Sequence, residues 1–267
     1  MFKTRLLSGI LLVIIALFTI ISGDGILFGT LLIISLIGMS ELYKILDIQK
    51  APLGIAGYLA AIAYYFFSLL QGGHNIDIIS IVFLLLLMFI YVFSYPKYRS
   101  EHVMLAFFGL FYVALMLSFV YKIRVFLDYG AFLVWLVFLC SWGSDTCAYC
   151  VGMLFGKKKL APVLSPKKSI EGAIGGVVGA ALLSALYAFA INRFFPGVEL
   201  GIGQCAIIGA AGSVISQVGD LAASAIKRNH DVKDYGKLIP GHGGILDRFD
   251  SVIFTAPIIY YLAMILM

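Results

Sequence analysis

Charge is what this chain has least of. Among 267 residues there are 19 Lys or Arg and 14 Asp or Glu, 12% together, against 62% apolar residues. A soluble domain carries about twice that charged share, so the deficit excludes a soluble globular protein. It excludes disorder and charged coiled coils as well, because those need low hydrophobicity or charged heptads. Cysteine is scarce too, at four residues. Cys147 and Cys150 form a C-x-x-C in an apolar helical stretch, with only Cys140 and Cys205 elsewhere and no histidine pair at zinc spacing, so they read as packing residues. A Walker A sequence and a G-x-S-x-G elbow are both missing, as are an internal repeat and a low-complexity segment. The basic residues have no aromatic-interleaved or zinc-finger context, which argues against nucleic acid as a partner.

What the chain does have is long uncharged apolar runs. A helix needs about 20 residues to cross about 30 Å of hydrocarbon, and nine windows qualify or come close: 6–23, 25–40, 51–73, 78–96, 103–121, 129–144, 172–192, 200–219 and 251–267. The expected fold is therefore all-α, a polytopic integral membrane protein with about nine transmembrane helices. The runs at 25–40, 129–144 and 200–219 lead straight into Glu41, Asp145 and Asp220. Their helices are expected to continue past an acid that faces protein or water rather than lipid. The first window follows Lys3 and Arg5 as a signal peptide would, but no A-x-A site follows Ser22 and another apolar run begins at once, so it reads as a span.

With the N-terminus inside, nine crossings place Lys3, Arg5, Lys44, Lys50, Lys97, Arg99, Lys157 to Lys159, Lys167, Lys168, Lys227, Arg228, Lys233, Lys237 and Arg248 on one face, 16 of the 19 basic residues. Only Lys122, Arg124 and Arg193 fall opposite. That asymmetry makes the richer face cytoplasmic and predicts a C-terminus outside. Basic loops beside a bilayer attract anionic lipid or phosphorylated ligands, although Lys44, Lys50, Lys97 and Arg99 need do no more than set topology. Polar residues are unevenly spread: 141–250 holds 8 of the 14 acids and 11 of the 19 bases. Residues 1–128 read as a transmembrane scaffold of about five helices, and 129–267 as a catalytic region of about four helices plus cytoplasmic loops.

Two segments carry the polar chemistry. The first runs from Ser141 through Asp145, Phe155-Gly156-Lys157-Lys158-Lys159-Leu160 and Ser165-Pro166-Lys167-Lys168-Ser169-Ile170-Glu171-Gly172. Asp145 ends an apolar window, where a carboxylate needs a cation or water; Ser169 or Ser165 is placed to cap the next helix, and Lys157 to Lys159 read equally well as a solvated loop. In the second segment, Asp220, Ser224 and Lys227 follow at i, i+4 and i+7 and share a helix face. Beyond them lie Arg228, Asp231, Lys233, Asp234, Lys237 and the turn Pro240-Gly241-His242-Gly243-Gly244, then Asp247-Arg248-Phe249-Asp250 opening the last span. Asp247 and Asp250 are i, i+3 neighbours, and helix capping would account for Asp250 without any function. Carboxylates from separate helices without histidine or thiolate suit a hard cation such as Mg²⁺; the lysines and arginine around them suit a polyphosphate, and the glycine-rich turn allows close backbone approach.

The run Ser224-Ala225-Ile226-Lys227-Arg228-Asn229-His230-Asp231-Val232-Lys233-Asp234, followed by Pro240-Gly241-His242-Gly243-Gly244-Ile245-Leu246-Asp247-Arg248-Phe249-Asp250, resembles the signature of the phosphatidate cytidylyltransferase family, the CDP-diacylglycerol synthases. The F-G-K-x-K-L and S-P-K-K-S-x-E-G stretches are similar to that family too, so the resemblance spans the C-terminal half. One departure is Ala222-Ala223, where many members carry an acid before the signature serine. The resemblance implies Mg²⁺-dependent transfer of a cytidylyl group from CTP to phosphatidic acid, giving CDP-diacylglycerol and pyrophosphate. On that basis Asp220 and Asp247 are expected as core metal ligands, with Asp145 and Asp250 as further ligands or just behind them, and a second cation is plausible. Lys227, Arg228, Lys233, Lys237 and Arg248 are expected on the triphosphate, Lys167 and Lys168 on the lipid phosphate, with Ser224, His242, Gly243 and Gly244 also lining the substrate site. The implied location is the inner membrane with the active site facing the cytoplasm, and a homodimer is compatible with it.

Two other classes compete. A secondary transporter also places acids and glycines in spans, but shows related halves and a midplane site. A CDP-alcohol phosphotransferase is the nearer enzyme alternative, and its paired-aspartate motif is absent here.

Overall fold

The computed structural model describes the backbone of residues 2–69, 76–241 and 243–267, and the side chains of these except residues 2–8, 68 and 69. Over their described residues the apolar windows become helices, α1 (Phe2–Ser22), α2 (Asp24–Leu46), α3 (Pro52–Phe67), α4 (Ile76–Phe93), α5 (Ser100–Phe126), α6 (Gly130–Phe155), α7 (Ile170–Phe194), α8 (Ile202–Asn229) and α9 (Leu246–Leu266), while residues 70–73 of the window 51–73 lie outside the described residues. Among the described residues seven of these, α2 and α4 to α9, are long and apolar enough to cross a membrane, while Gly9–Ser22 and Pro52–Phe67 are shorter apolar pieces. The protein is an all-α polytopic integral membrane protein. As expected, α2, α6 and α8 run on past Glu41, Asp145 and Asp220.

The chain forms two compact units: Met1–Tyr121 with Asp234–Arg248, and Lys122–Lys233 with Phe249–Met267. The first unit is knit by tyrosines. Tyr43, Tyr64 and Tyr65 are wholly buried, and each hydroxyl has a partner, as a buried phenol requires. The Tyr43 hydroxyl donates to the Ala106 carbonyl at 2.7 Å, Tyr64 meets the Ser118 hydroxyl at 2.8 Å, and Tyr65 meets Ser35 at 2.8 Å. Room for the Tyr43 ring comes from Gly57 and Gly109, where any Cβ would overlap it. On α4, Ile78, Val82, Leu85, Phe89 and Phe93 are exposed, an apolar surface suited to lipid tails.

The second unit packs through small residues, as membrane helices do when close backbone approach replaces hydrophobic drive. Gly172, Gly175, Gly176 and Gly179 lie on one face of α7, at i, i+3, i+4 and i+7. Added Cβ atoms there would strike Ala148, Val151 or Cys147 of α6. Gly209 of α8 similarly admits Ser184 of α7, and Ser144 of α6 bonds Ser213 of α8 at 2.6 Å in a buried pair. Cys140 and Cys205 are buried among these helices and all four cysteines are free thiols.

Candidate functional site

In the second unit, the stretch read as a plain loop folds into a small antiparallel hairpin, β1 (Lys159–Ala161) and β2 (Ser165–Ser169), with Lys159 opposite Ser169 and Ala161 opposite Ser165. No alternating pattern announces it, and Pro166 argues against a strand. The hairpin ends in a cap: the Gly172 N–H donates to the Ser169 hydroxyl at 3.1 Å, satisfying a first-turn donor of α7. Glu171 ties down the other end, accepting the backbone N–H of Lys157 at 3.1 Å and of Lys158 at 3.2 Å. The Lys157, Lys158 and Lys159 side chains stay exposed.

The hairpin delivers Lys168 to Asp220 of α8 as an ion pair whose side chains are 26% and 27% exposed. About a quarter of each side chain is open to solvent, but the Lys168 Nζ itself is buried, so the carboxylate of Asp220 stands as the counter-charge to an ammonium held out of bulk water. Ser224 is half-buried one turn on and Lys227 is buried, as their shared helix face predicts. Arg228 is exposed and donates to the Val232 carbonyl at 3.3 Å; Lys233 is exposed. Asp145 is exposed on α6, whereas Asp250 is buried on α9, where its carboxylate accepts the Ser251 N–H at 2.8 Å.

In the first unit, the glycine-rich segment is held by two acids. Asp247 is buried and its Oδ2 accepts the N–H of Tyr235 at 2.9 Å and of Gly244 at 3.0 Å. Glu41, from α2, accepts the N–H of Ile245 at 3.1 Å and of Leu246 at 2.8 Å, across more than 200 residues of sequence. Gly236 and Gly244 lie so close to that carboxylate that a Cβ at either would overlap it. Gly243 holds the left-handed φ of +87° that its turn needs, and its carbonyl accepts the Ile239 N–H at 2.9 Å. Lys237 is exposed, and His242 lies outside the described residues. Arg248 is half-buried, and its Nε is buried without a hydrogen-bond partner among the described residues. A guanidinium donor in that condition suits an incoming anion.

Among the described residues no three Asp, Glu, His or Cys side chains gather closely enough to hold an ion by themselves. Mg²⁺ does not need them to, since it takes one or two carboxylates and completes its shell with water and substrate phosphate. Asp220, an oxygen donor already facing a cation, fits that chemistry. Sequence reasoning marked Glu41 only as an acid requiring company; the signal was there in a carboxylate ending an apolar run, but its partners were not.

Comparison with known proteins converges on one family. A family model described as Cytidylyltransferase family matches residues 3–266. A phosphatidate cytidylyltransferase of Bacillus subtilis is 34% identical over 97% of this chain and 97% of its own length. One from Staphylococcus epidermidis is 34% identical over 96% of this chain and 97% of its own. A third, from Thermotoga maritima, is 37% identical over 59% of this chain and 58% of its own. With the match running through scaffold and polar segments alike, the chain belongs to the cytidylyltransferase family.

Proposed function

We propose that this protein is a CTP:phosphatidate cytidylyltransferase, an enzyme of phospholipid biosynthesis. It moves the cytidylyl group of CTP onto phosphatidic acid and releases pyrophosphate and CDP-diacylglycerol. An oxygen of the lipid phosphate attacks the α-phosphorus of CTP as the bond to the bridging oxygen of the β-phosphate breaks. The nucleophile is already an anion, so the protein's task is to bring two polyanions together in line and offset their charge. The observation that carries this reading is the lysine hairpin that sets Lys168 against Asp220 at the end of an apolar bundle. It puts an ammonium and a cation-accepting carboxylate together beside the exposed Lys167.

Lys167 and Lys168 are assigned to the lipid phosphate, as point charges beside the headgroup plane. Lys227, Arg228, Lys233, Lys237 and Arg248 are assigned to the triphosphate, with Ser224, His242, Gly243 and Gly244 lining the substrates; the partnerless Nε of Arg248 supports its place there. Mg²⁺ is the proposed cofactor, with Asp220 and Asp247 as first candidates to hold it and Asp145 and Asp250 as further ones. When bound it would neutralise charge on the nucleotide's phosphates. The 16 to 3 division of basic residues supports an inner-membrane protein whose polar loops face the cytoplasm. Cysteine labelling in a cysteine-free background should find the loops around Lys158 and Lys233 accessible from that same side.

The decisive assay is pyrophosphate release by purified protein in mixed micelles. It should need CTP, phosphatidate and a divalent cation together. Release from CTP without phosphatidate, or consumption of CDP-diacylglycerol with an alcohol and no use of CTP, would overturn the assignment.

A further inference from the structure

Glu41 has no part in the reading above, yet it is 9% exposed in an apolar helix and both its oxygens are engaged by main chain of the glycine-rich segment. The N–H groups of Ile245 and Leu246 are among the donors that the start of α9 leaves without helical partners. Such a helix N-terminus attracts anions, phosphate included. Here the anion is built in. Glu41 accepts those two donors, Asp247 accepts two others from Tyr235 and Gly244, and Gly236 and Gly244 have no side chain because the Glu41 carboxylate fills that space.

We propose that Glu41 is a positioning residue for the transfer reaction: it occupies the anion site at the start of α9 and so fixes the orientation of Asp247 and Arg248, which follow it on the helix. This rests on the cytidylyltransferase reading for its kinetic consequence, though not for its structural one. Two things follow. Nucleotide phosphate is held by side chains such as Arg248, not by this helix N-terminus. And loss of the Glu41 charge leaves at least one of the two donors without its acceptor beside Asp247, since a glutamine keeps only one of the two oxygens, and the start of the helix that carries Asp247 and Arg248 is loosened.

The test compares Glu41→Gln, Glu41→Asp and, as a control, Ser35→Ala, which removes a buried hydrogen bond to Tyr65 in the same unit without touching the loop. Glu41→Gln keeps the shape and loses the charge. It should lower turnover about tenfold or more at nearly unchanged apparent KM for phosphatidate, with a melting temperature lowered by no more than that of Ser35→Ala. Glu41→Asp, one methylene short, should restore part of that turnover. Ser35→Ala should lower the melting temperature and leave turnover alone. Hydrogen exchange read by mass spectrometry on the peptide covering Ile245 and Leu246 should speed up in Glu41→Gln and not in Ser35→Ala. Parental turnover in Glu41→Gln, a turnover loss in Ser35→Ala equal to that in Glu41→Gln, or unchanged exchange at Ile245 and Leu246 would each overturn the proposal. If the parent itself releases no pyrophosphate from CTP and phosphatidate, the functional reading fails, while the exchange arm still decides whether Glu41 anchors the loop.

Discussion

The lysine hairpin of the second unit and the glycine-rich loop of the first use acids in opposite ways. Asp220 faces the side-chain ammonium of Lys168, in a pair of partly exposed side chains whose Nζ is buried. Glu41 and Asp247 are buried and face main-chain N–H groups that belong to a turn and a helix start. An ammonium on a four-carbon stem can swing from a carboxylate to a phosphate, one anion replacing another, without any change in the backbone. Backbone donors cannot leave without unfolding the turn, and a buried donor left without its acceptor costs about 1–3 kcal/mol. One region therefore has exchangeable charge, suited to ligands that arrive and depart; the other has fixed charge, suited to holding a shape.

Substitution at the acids tests that contrast most strongly. Asp247→Ala should abolish turnover, by about a thousandfold or more if it holds the metal, and should also lower the melting temperature, because Tyr235 and Gly244 lose their acceptor. Asp220→Asn should reduce pyrophosphate release by a similar order while leaving the melting temperature near the parent's. Equal thermal losses in the two variants would erase the distinction. Next in size, Gly244→Ala should cost about 1–3 kcal/mol through overpacking against Glu41, read as a lower melting temperature together with slower turnover.

Replacing Lys167 and Lys168 together with alanine should raise the apparent KM for phosphatidate by about tenfold and that for CTP by much less, whereas Lys233→Ala should weaken CTP use or turnover first. Kinetics in mixed micelles with each substrate varied would sharpen the assignment, and the reverse pattern would exchange the two regions' ligands. The smallest effect expected is for Ser169→Ala, about 1 kcal/mol from loss of the α7 cap, visible in thermal denaturation as a modest shift; no change would mean the hairpin, not the hydroxyl, sets where α7 begins.

Local spacing made much of this legible. Ser169 caps α7 because a hydroxyl before a helix start satisfies a donor three residues on, a relation contained within four consecutive residues. Asp220, Ser224 and Lys227 share a face because helical periodicity places them there. The hairpin was not legible: Lys159–Ala161 and Ser165–Ser169 have no alternation, and their pairing is fixed by the helices to which they are joined. The glycine face of α7 went unread, because small residues at helical spacing acquire a meaning only once the packing shows that α6 fills the space.

The sequence by itself determined the membrane class, the all-α architecture, the charge asymmetry and the family, because hydrophobicity, helical period and fixed motif spacing are properties of neighbouring residues. The tertiary structure decided partnership. Lys168 meets Asp220 across some fifty residues, and Glu41 reaches Ile245 and Leu246 across more than two hundred. A buried carboxylate must find donors, so the sequence announces the need; which donors answer it depends on how distant helices pack, which no local pattern encodes.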